Sequence, residues 1–378
     1  MDFALTKEEE FLQKSTREFA EREISPLENQ IEQEDKIPDD LILKLGKQGL
    51  FGIPVEKKYG GMGGRYLDLV LGVEQVAYVS GAVAFMVAVN YLPVIAIEIA
   101  GNEEQKAKFL PALVKGKEKS LGSFSFTEHS TGSDPREIYA TAQLEGEHYV
   151  CNGHKGFTTG ASYDGTIVIF LRTGEGTDVS AFIGQKNTEG YSTPPAYPLI
   201  GLRGMTVTDI ELKNWRIPAA NLLGNRGDGF SILLNTIAVG KVDVAGAMLG
   251  IAQRALDEAM KYATEKTMRG RPIGNYQMIQ YLIAEMAIDV EAGRYLLYRT
   301  MSLMDQKKRT LGSCAVAKLF LAQMADRVTQ KAVQVHGGYG YTKDFKVERL
   351  YRDAKFGGVV EGSNEIQRVI IARELLKL

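Results

Sequence analysis

Tyr139-Ala-Thr-Ala-Gln-Leu-Glu145, His148-Tyr-Val-Cys-Asn-Gly153 and Thr166-Ile-Val-Ile-Phe-Leu-Arg172 are three short runs separated by glycine-containing turns. Their length, alternation and β-branched or aromatic content predict strands. The texture around them begins near Leu121 and lasts to about Gly227, with Gly, Thr and Ser enriched and Pro194-Pro195 and Pro218 punctuating its end. Outside it the spacing is helical. Upstream, Phe3, Leu5, Phe11, Leu12 and Phe19 recur with charges between them. Ile37-Pro38-Asp39-Asp40 reads as a helix start and Gly60-Gly61-Met62-Gly63-Gly64 as a loop. Downstream, long segments with few breakers cover 230–267, 275–307 and 310–336, followed by a short piece and a final helix from Asn364. Helices, then strands, then helices argue for separate layers or domains and against a βαβ sheet. A chain of 378 residues is also too long for one ordinary core. The predicted class is α+β multidomain, divided at 1–120, 121–228 and 229–378.

The totals exclude several functions. Apolar residues make up 44% and charged residues 24%, with a net charge of −2, the composition of a soluble globular protein. No basic excess and no Lys/Arg run points to nucleic acid. Cys151 and Cys314 are far apart without CxxC spacing, which argues against a disulfide framework or structural zinc and for a reducing compartment. The acidic opening up to Glu10 resembles neither a transit peptide nor a secretory signal, so a cytoplasmic location is expected. Gln75 to Ile97 carries no charge and is long enough to span a bilayer. Ser80, Gly81, Asn90 and Pro93 divide it, and two buried helices are expected there instead of a membrane span. No dinucleotide-binding G-x-G-x-x-G follows a strand, and neither a Walker loop nor a G-x-S-x-G elbow occurs. His129, His148, His154 and His336 lack H-E-x-x-H spacing, so no metal site is expected.

Four motifs remain. Ser123-Phe-Ser-Phe-Thr-Glu-His-Ser-Thr-Gly-Ser-Asp134 sets hydroxyls, a glycine and backbone amides beside aromatics. It suits either the edge of a flat heterocycle and a pyrophosphate, or a polar surface turn. Gly153-His-Lys-Gly-Phe157-Thr-Thr159-Gly can place a ring and a hydroxyl on opposite sides of a strand, or simply bury a core phenylalanine. Gln334-Val-His-Gly-Gly338-Tyr-Gly-Tyr-Thr-Lys ends a long helix, and its glycines serve either the stop or the close approach of another molecule. In Phe356-Gly-Gly-Val-Val-Glu361-Gly-Ser-Asn-Glu-Ile-Gln-Arg368, Asn364 with Gln367 fits a capping box. Glu361 then sits on a tight turn. Desolvation there raises a carboxyl's pKa and suits a general base, whereas a first-turn position lowers it through the helix dipole.

In this order and context the motifs resemble the acyl-CoA dehydrogenase family. The resemblance covers nearly the whole chain, including Gly101-Asn-Glu-Glu-Gln-Lys-Ala-Lys-Phe-Leu-Pro111, Gln253-Arg-Ala-Leu-Asp-Glu-Ala259 and Val347-Glu-Arg-Leu-Tyr-Arg-Asp-Ala-Lys355. It implies a helical N-terminal domain, a central β-barrel and a C-terminal four-helix bundle, assembled as a homotetramer. It further implies FAD, an acyl-CoA substrate and an electron-transfer flavoprotein as electron acceptor. Glu361 is then the catalytic base. Phe126, Thr127, Gly132, Ser133, Phe157 and Thr159 are expected to contact FAD, with Ser363 and Glu365 at another part of it. Gln334 and Gly338 are expected to reach the FAD of an adjacent subunit. The expected substrate contacts are Ser133, Glu361, Gly362 and Arg373, the last at the CoA nucleotide.

Several positions depart from the family pattern. Lys266-Thr-Met-Arg269-Gly270 stands where Arg-x-x-Phe-Gly is common, so a bidentate fork is lost at Lys266 and an aromatic face at Arg269. His129 replaces the usual proline after Thr127-Glu128, and is either a ligand donor or a plain loop histidine. Lys241 stands where many members have arginine near the acyl-CoA. Together with Asn90, Tyr91 and Pro93, expected to line the acyl pocket, these changes hint at an atypical acyl group. Related readings are a flavin oxidase or monooxygenase, an enoyl-CoA reductase, and a non-catalytic relative.

Overall fold

Local capping opens the N-terminal helices. Thr6 accepts from the Glu9 backbone N–H at 3.2 Å, and Glu9 accepts in return from Thr6 N–H, starting α1 (Lys7–Glu23). The computed structural model describes residues 4–117, 120–134, 137–175, 178–308 and 311–378. Phe3, and residue 310 at the start of one expected helix, lie outside them. Next come α2 (Glu28–Glu34) and α3 (Asp39–Lys47), the latter beginning after Pro38 as the sequence predicts. Beyond the glycine loop, α4 (Tyr66–Val79), α5 (Gly81–Ala100) and α6 (Glu103–Lys115) follow. The uncharged stretch does fold as two helices, but it breaks once, at Ser80, which caps α5 through Val83 N–H. Asn90 and Pro93 lie inside a continuous α5, contrary to the sequence expectation. A proline removes a single backbone donor, and the packing around this buried helix outweighs that loss.

The strands are β1 (Ser123–Ser125), β2 (Thr141–Glu145), β3 (His148–Thr159), β4 (Thr166–Arg172), β5 (Val179–Gln185), β6 (Tyr191–Ser192), β7 (Val207–Pro218) and β8 (Leu222–Leu223). They form one mixed sheet in the order β6-β7-β3-β2-β4-β5-β8, with β1 parallel to β4. The sheet is rolled. Tyr149 of β3 and Phe182 of β5 have two strands between them in the order, yet their ring centroids are 4.8 Å apart. The Trp215 ring on β7 fills the space beside Gly184 of β5, where an added Cβ would lie 2.2 Å from it. This curl encloses a core of its own that includes Ile169, Leu171, Ile210 and Ile217.

The last segment holds α7 (Gly229–Glu265), a small hairpin of β9 (Thr267–Met268) and β10 (Arg271–Pro272), α8 (Gln277–Asp305), α9 (Leu311–His336), α10 (Val347–Ala354) and α11 (Asn364–Leu376). Helices α7, α8, α9 and α11 form the bundle, and α7 also packs on α4 and α5. Gly250 permits that approach, because a Cβ there would lie 2.3 Å from the Glu74 carbonyl oxygen. The N-terminal helices and the bundle therefore share one hydrophobic core. Arg294 of α8 crosses it to pair with buried Glu74 and donates to Gln253 at 2.9 Å. Helices α5 and α7 are long and apolar enough to cross a membrane, yet 83% of the most apolar window of each is buried within the protein.

Asp353 ties α10 to the segment between β6 and β7 by accepting from Leu202 N–H at 2.5 Å. Burial pushes its carboxyl up to about 7. The folded state therefore holds this proton more tightly than the unfolded chain, so stability falls as pH rises from about 4 toward 7 and is level above that. Asp353→Asn keeps the acceptor and loses the titration. Its Tm relative to wild type is expected to rise between about pH 4 and 7 and to stay level above that; a parallel pair of Tm–pH curves would refute this.

Candidate active site

The final helix begins only after a sharp reversal. Following a tight turn at Lys355–Gly358, Glu361 takes a left-handed backbone (φ 54°) and Gly362 does the same (φ 83°). A left-handed glutamate is strained, and it persists only where its surroundings hold it. Three side chains do so by gripping carbonyls. Lys241 of α7 donates to the Glu361 oxygen at 2.9 Å, and Lys318 of α9 to the Gly362 oxygen at 2.8 Å. Gln367 Nε2 donates to both, at 3.1 and 2.7 Å. The expected capping box at Asn364 and Gln367 is therefore corrected. Ser363 is the cap, accepting from Ile366 N–H at 3.4 Å, while Gln367 is spent on the turn and Asn364 Oδ1 faces Lys318.

The turn delivers the Glu361 carboxyl against α7. An added Cβ on Gly240 would lie 2.9 Å from Glu361 Cδ and 2.8 Å from a Leu92 methyl, so glycine makes the room. Glu361 as a whole is half-buried, but its Oε2 is cut off from solvent and has no hydrogen-bond partner among the described residues. That local environment governs its titration. Burial raises its pKa, and the Lys241 and Lys318 ammoniums pull partly back. The helix-dipole alternative fails, since Glu361 precedes the cap and its shift is upward. Burial also lowers both lysines, Lys318 to about 8.

The loop after β1 is fixed by one buried ion pair. Lys155 of β3, wholly buried, donates to Glu128 Oε1 at 2.7 Å, and Glu128 also accepts from Tyr139 and Ala140 N–H at 2.8 and 3.0 Å. Thr127 C=O accepts from Gly156 N–H at 2.8 Å, bringing the first two motifs together. Phe157 is neither a core residue nor a point on a regular strand. It is 60% exposed with φ 51°, at a bulge between Lys155 and Thr158 that breaks the alternation. Its ring stacks on Tyr197 at 4.9 Å, and Asp209 accepts from both Phe157 N–H and Tyr197 O–H. His129 is a loop histidine whose Nε2 lies 3.0 Å from the same carboxylate. Thr127, Ser133 and Thr159 have hydroxyls with no partner among the described residues; Gly132 and Ser133 are exposed and Phe126 half-buried.

Other expected site residues lie elsewhere. Gln334 and Gly338 are exposed at the far end of α9, and a Cβ on Gly338 would meet nothing within 4 Å. Gln334 is sixteen residues beyond Lys318 on this helix, about 24 Å at the α-helical rise. Glu365 and Arg373 are exposed on α11. Lys266 follows α7 and sits over the Tyr339 ring at 5.1 Å. Asn90 and Tyr91 spend their polar atoms on backbone: Asn90 on Leu113 and Gly122, Tyr91 on Leu50 and Ile53. Leu92 is the neighbour that reaches the Glu361 turn. A cleft of about 770 Å³ lined by Asp35, Tyr163, Asp164 and Tyr197 includes none of the Glu361 turn, and its size alone gives it no chemistry. Sequence reasoning missed Gly240, Asp243 and Lys318. A signal existed: Lys241 and Asp243 are the only charges between Ile237 and Ala252, and a charge inside an apolar helix marks a special environment.

Residues 6–117, 123–215 and 227–376 match the acyl-CoA dehydrogenase N-terminal, middle and C-terminal domains respectively. The chain is 37% identical over 381 residues to the short-chain-specific acyl-CoA dehydrogenase of Clostridium acetobutylicum, covering 100% of both. It is 37% identical over 377 residues to subunit CarC of the caffeyl-CoA reductase-Etf complex of Acetobacterium woodii, covering 98% of this chain and 99% of that one. Among solved structures, butyryl-CoA dehydrogenase from Megasphaera elsdenii matches with a TM-score of 0.96 at 32% identity over 100% of both chains. With three domains matched in chain order and full-length relatives at this identity, the chain belongs to the acyl-CoA dehydrogenase family, the FAD-binding oxidoreductases that act on acyl-CoA thioesters.

Proposed function

We propose that the protein dehydrogenates an acyl-CoA to the α,β-unsaturated thioester, with Glu361 removing the α-proton. The supporting observation is the Glu361 carboxyl itself, its Oε2 cut off from solvent and unpartnered among the described residues and its pKa raised, on a turn held by Lys241, Lys318 and Gln367. A dry carboxylate with a raised pKa is a stronger base, and a fixed backbone aims it. Clamping both turn carbonyls also orients the turn's backbone N–H groups, of which that of Glu361 is the candidate donor to the thioester oxygen. FAD, when bound, supplies the two-electron acceptor that takes the β-hydrogen as hydride.

The chain's residues fit that cofactor. The hydroxyls of Thr127, Ser133 and Thr159, unpartnered among the described residues, offer donors beside an exposed Phe157 ring on a bulge, which suits a ring face and its polar edge. Phe126 and Gly132 belong to the same loop, and Ser363 and Glu365 border the turn. The open space at Gly338 and its distance from Lys318 along α9 support the reading that Gln334 and Gly338 serve a neighbouring subunit's cofactor in a homotetramer. Arg373 and Gly362 are assigned to the substrate, and the division at 1–120, 121–228 and 229–378 is retained. An electron-transfer flavoprotein is the proposed acceptor, which the relative in a reductase-Etf complex supports. A cytoplasmic site of action accords with the bacterial relatives. The same relative favours a second reading, reduction of an enoyl-CoA, in which protonated Glu361 returns the α-proton.

Anaerobic titration separates these outcomes. Butyryl-CoA or a substituted relative is expected to bleach the flavin; re-oxidation of reduced protein by the enoyl-CoA alone marks a reductase. A flavin indifferent to both removes the proposal. Gly240→Ala sets a methyl against the Glu361 carboxyl. Displacement of a reacting group by about 1 Å costs about 10²-fold, so flavin reduction in single turnover is expected to slow by that factor with the FAD spectrum intact. A wild-type rate would mean that the carboxyl does not act from this position.

A further inference from the structure

One buried acid beside the turn has no use in the chemistry above. Asp243 of α7 is 1% exposed, and neither of its carboxyl oxygens has a partner among the described residues. It is three residues after Gly240, so the two share a helix face, about 4.5 Å apart along the axis. Gly240 is in contact with the Glu361 carboxyl and Leu92, while Gly246, a further three residues along, meets Val70 of α4. The Asp243 carboxyl thus lies between the Glu361 turn and the α4–α5 wall. It feels the charge of Glu361, and Tyr91 in turn feels the charge of Asp243.

Nothing nearby satisfies it. Lys241 is two residues away, a spacing that points to another face, and its ammonium is committed to the Glu361 carbonyl. The Tyr91 hydroxyl is spent on Leu50 and Ile53. A buried polar group without a partner is costly and is rarely left so unless something else completes it. Resting on the dehydrogenase reading of Glu361, we propose that Asp243 is a specificity residue that hydrogen-bonds a hydroxyl carried by the acyl chain just beyond the β-carbon. Burial and the neighbouring Glu361 raise this acid's pKa and favour its neutral form, which both donates and accepts, as a hydroxyl does. An ammonium substituent fits less well, because Lys241 and Lys318 already face this turn. The γ-hydroxyl stays intact in the reaction, since only the α and β C–H bonds break.

The test uses holoenzyme with butyryl-CoA, γ-hydroxybutyryl-CoA and γ-aminobutyryl-CoA. Wild type is expected to show kcat/KM at least about tenfold higher for the hydroxy compound than for the other two. Asp243→Val is expected to favour butyryl-CoA instead, and Asp243→Asn to retain the hydroxy preference, because an amide also donates and accepts. Asp243→Val is further expected to melt above wild type, since it replaces an unpartnered buried acid by an apolar group; its changed preference is then no folding defect. A wild type without preference for the hydroxy compound, or a ratio unchanged in Asp243→Val, overturns the assignment. A preference for the amino compound overturns it as well. If no thioester bleaches the flavin, the dehydrogenase reading fails separately. Calorimetric affinities of the three thioesters for wild type and Asp243→Val then still decide the role of Asp243.

Discussion

Glu361→Gln is expected to slow flavin reduction by acyl-CoA about 10³-fold, within the range general bases contribute, while the protein keeps its FAD. The substitution is nearly isosteric, and the grip on the turn runs through main-chain carbonyls of Glu361 and Gly362, which it leaves in place. Only the proton acceptor is lost. The pH profile gives an independent readout. Burial holds the wild-type carboxyl above the ordinary carboxylate range, so kcat/KM falls on the acid side at a pH higher than an exposed glutamate would give. In Lys318→Met an ammonium that lowers this pKa is removed, and the acid limb moves to still higher pH. Stopped-flow reduction measures both effects. Wild-type rates in Glu361→Gln with bound FAD would falsify the assignment of the base.

Lys155→Met is expected to destabilise the protein by about 3–5 kcal/mol, the cost of breaking a buried ion pair from one side. Lys155 is wholly buried and Glu128 is nearly so. Without the lysine, Glu128 retains two backbone donors, Tyr139 and Ala140, and loses its only side-chain cation among the described residues. Lys155 also donates to Phe126 C=O at 3.4 Å, so the variant loosens the loop that carries Thr127 and Ser133. Weaker FAD retention is expected along with the lower stability. Replacing both partners, as in Glu128→Gln with Lys155→Met, is expected to recover part of the loss, because no uncompensated charge stays buried. Denaturant midpoints of the single and double variants decide it; equal loss in both would mean that the pair does not account for the cost.

The alternation of helical and strand-like texture was legible because periodicity is a local property. Thr166-Ile-Val-Ile-Phe-Leu-Arg172 is the span of β4, and the three long helical segments lie within a few residues of α7, α8 and α9. Where local and tertiary terms competed, the local reading failed. Pro93 and Asn90 carry breaking signals, but neighbouring helices bury their segment, and α5 runs through both. Phe157 reads as a strand residue, but a bulge reverses its direction and exposes the ring.

Order and residue type along the chain were enough for the class of fold, the family and Glu361 as the residue of interest. What no one-dimensional pattern contains is which distant groups converge. Lys241, Lys318 and Gly240 meet the Glu361 turn only because α7 and α9 pack together beneath α11, and that packing supplies the burial that raises the carboxyl's pKa. Asp243, a lone acid in an apolar run, becomes meaningful only when Lys241 and Tyr91 are seen to be already partnered. Desolvation and hydrogen-bond satisfaction depend on what lies within a few ångströms in space, and those neighbours come from segments far apart in the chain.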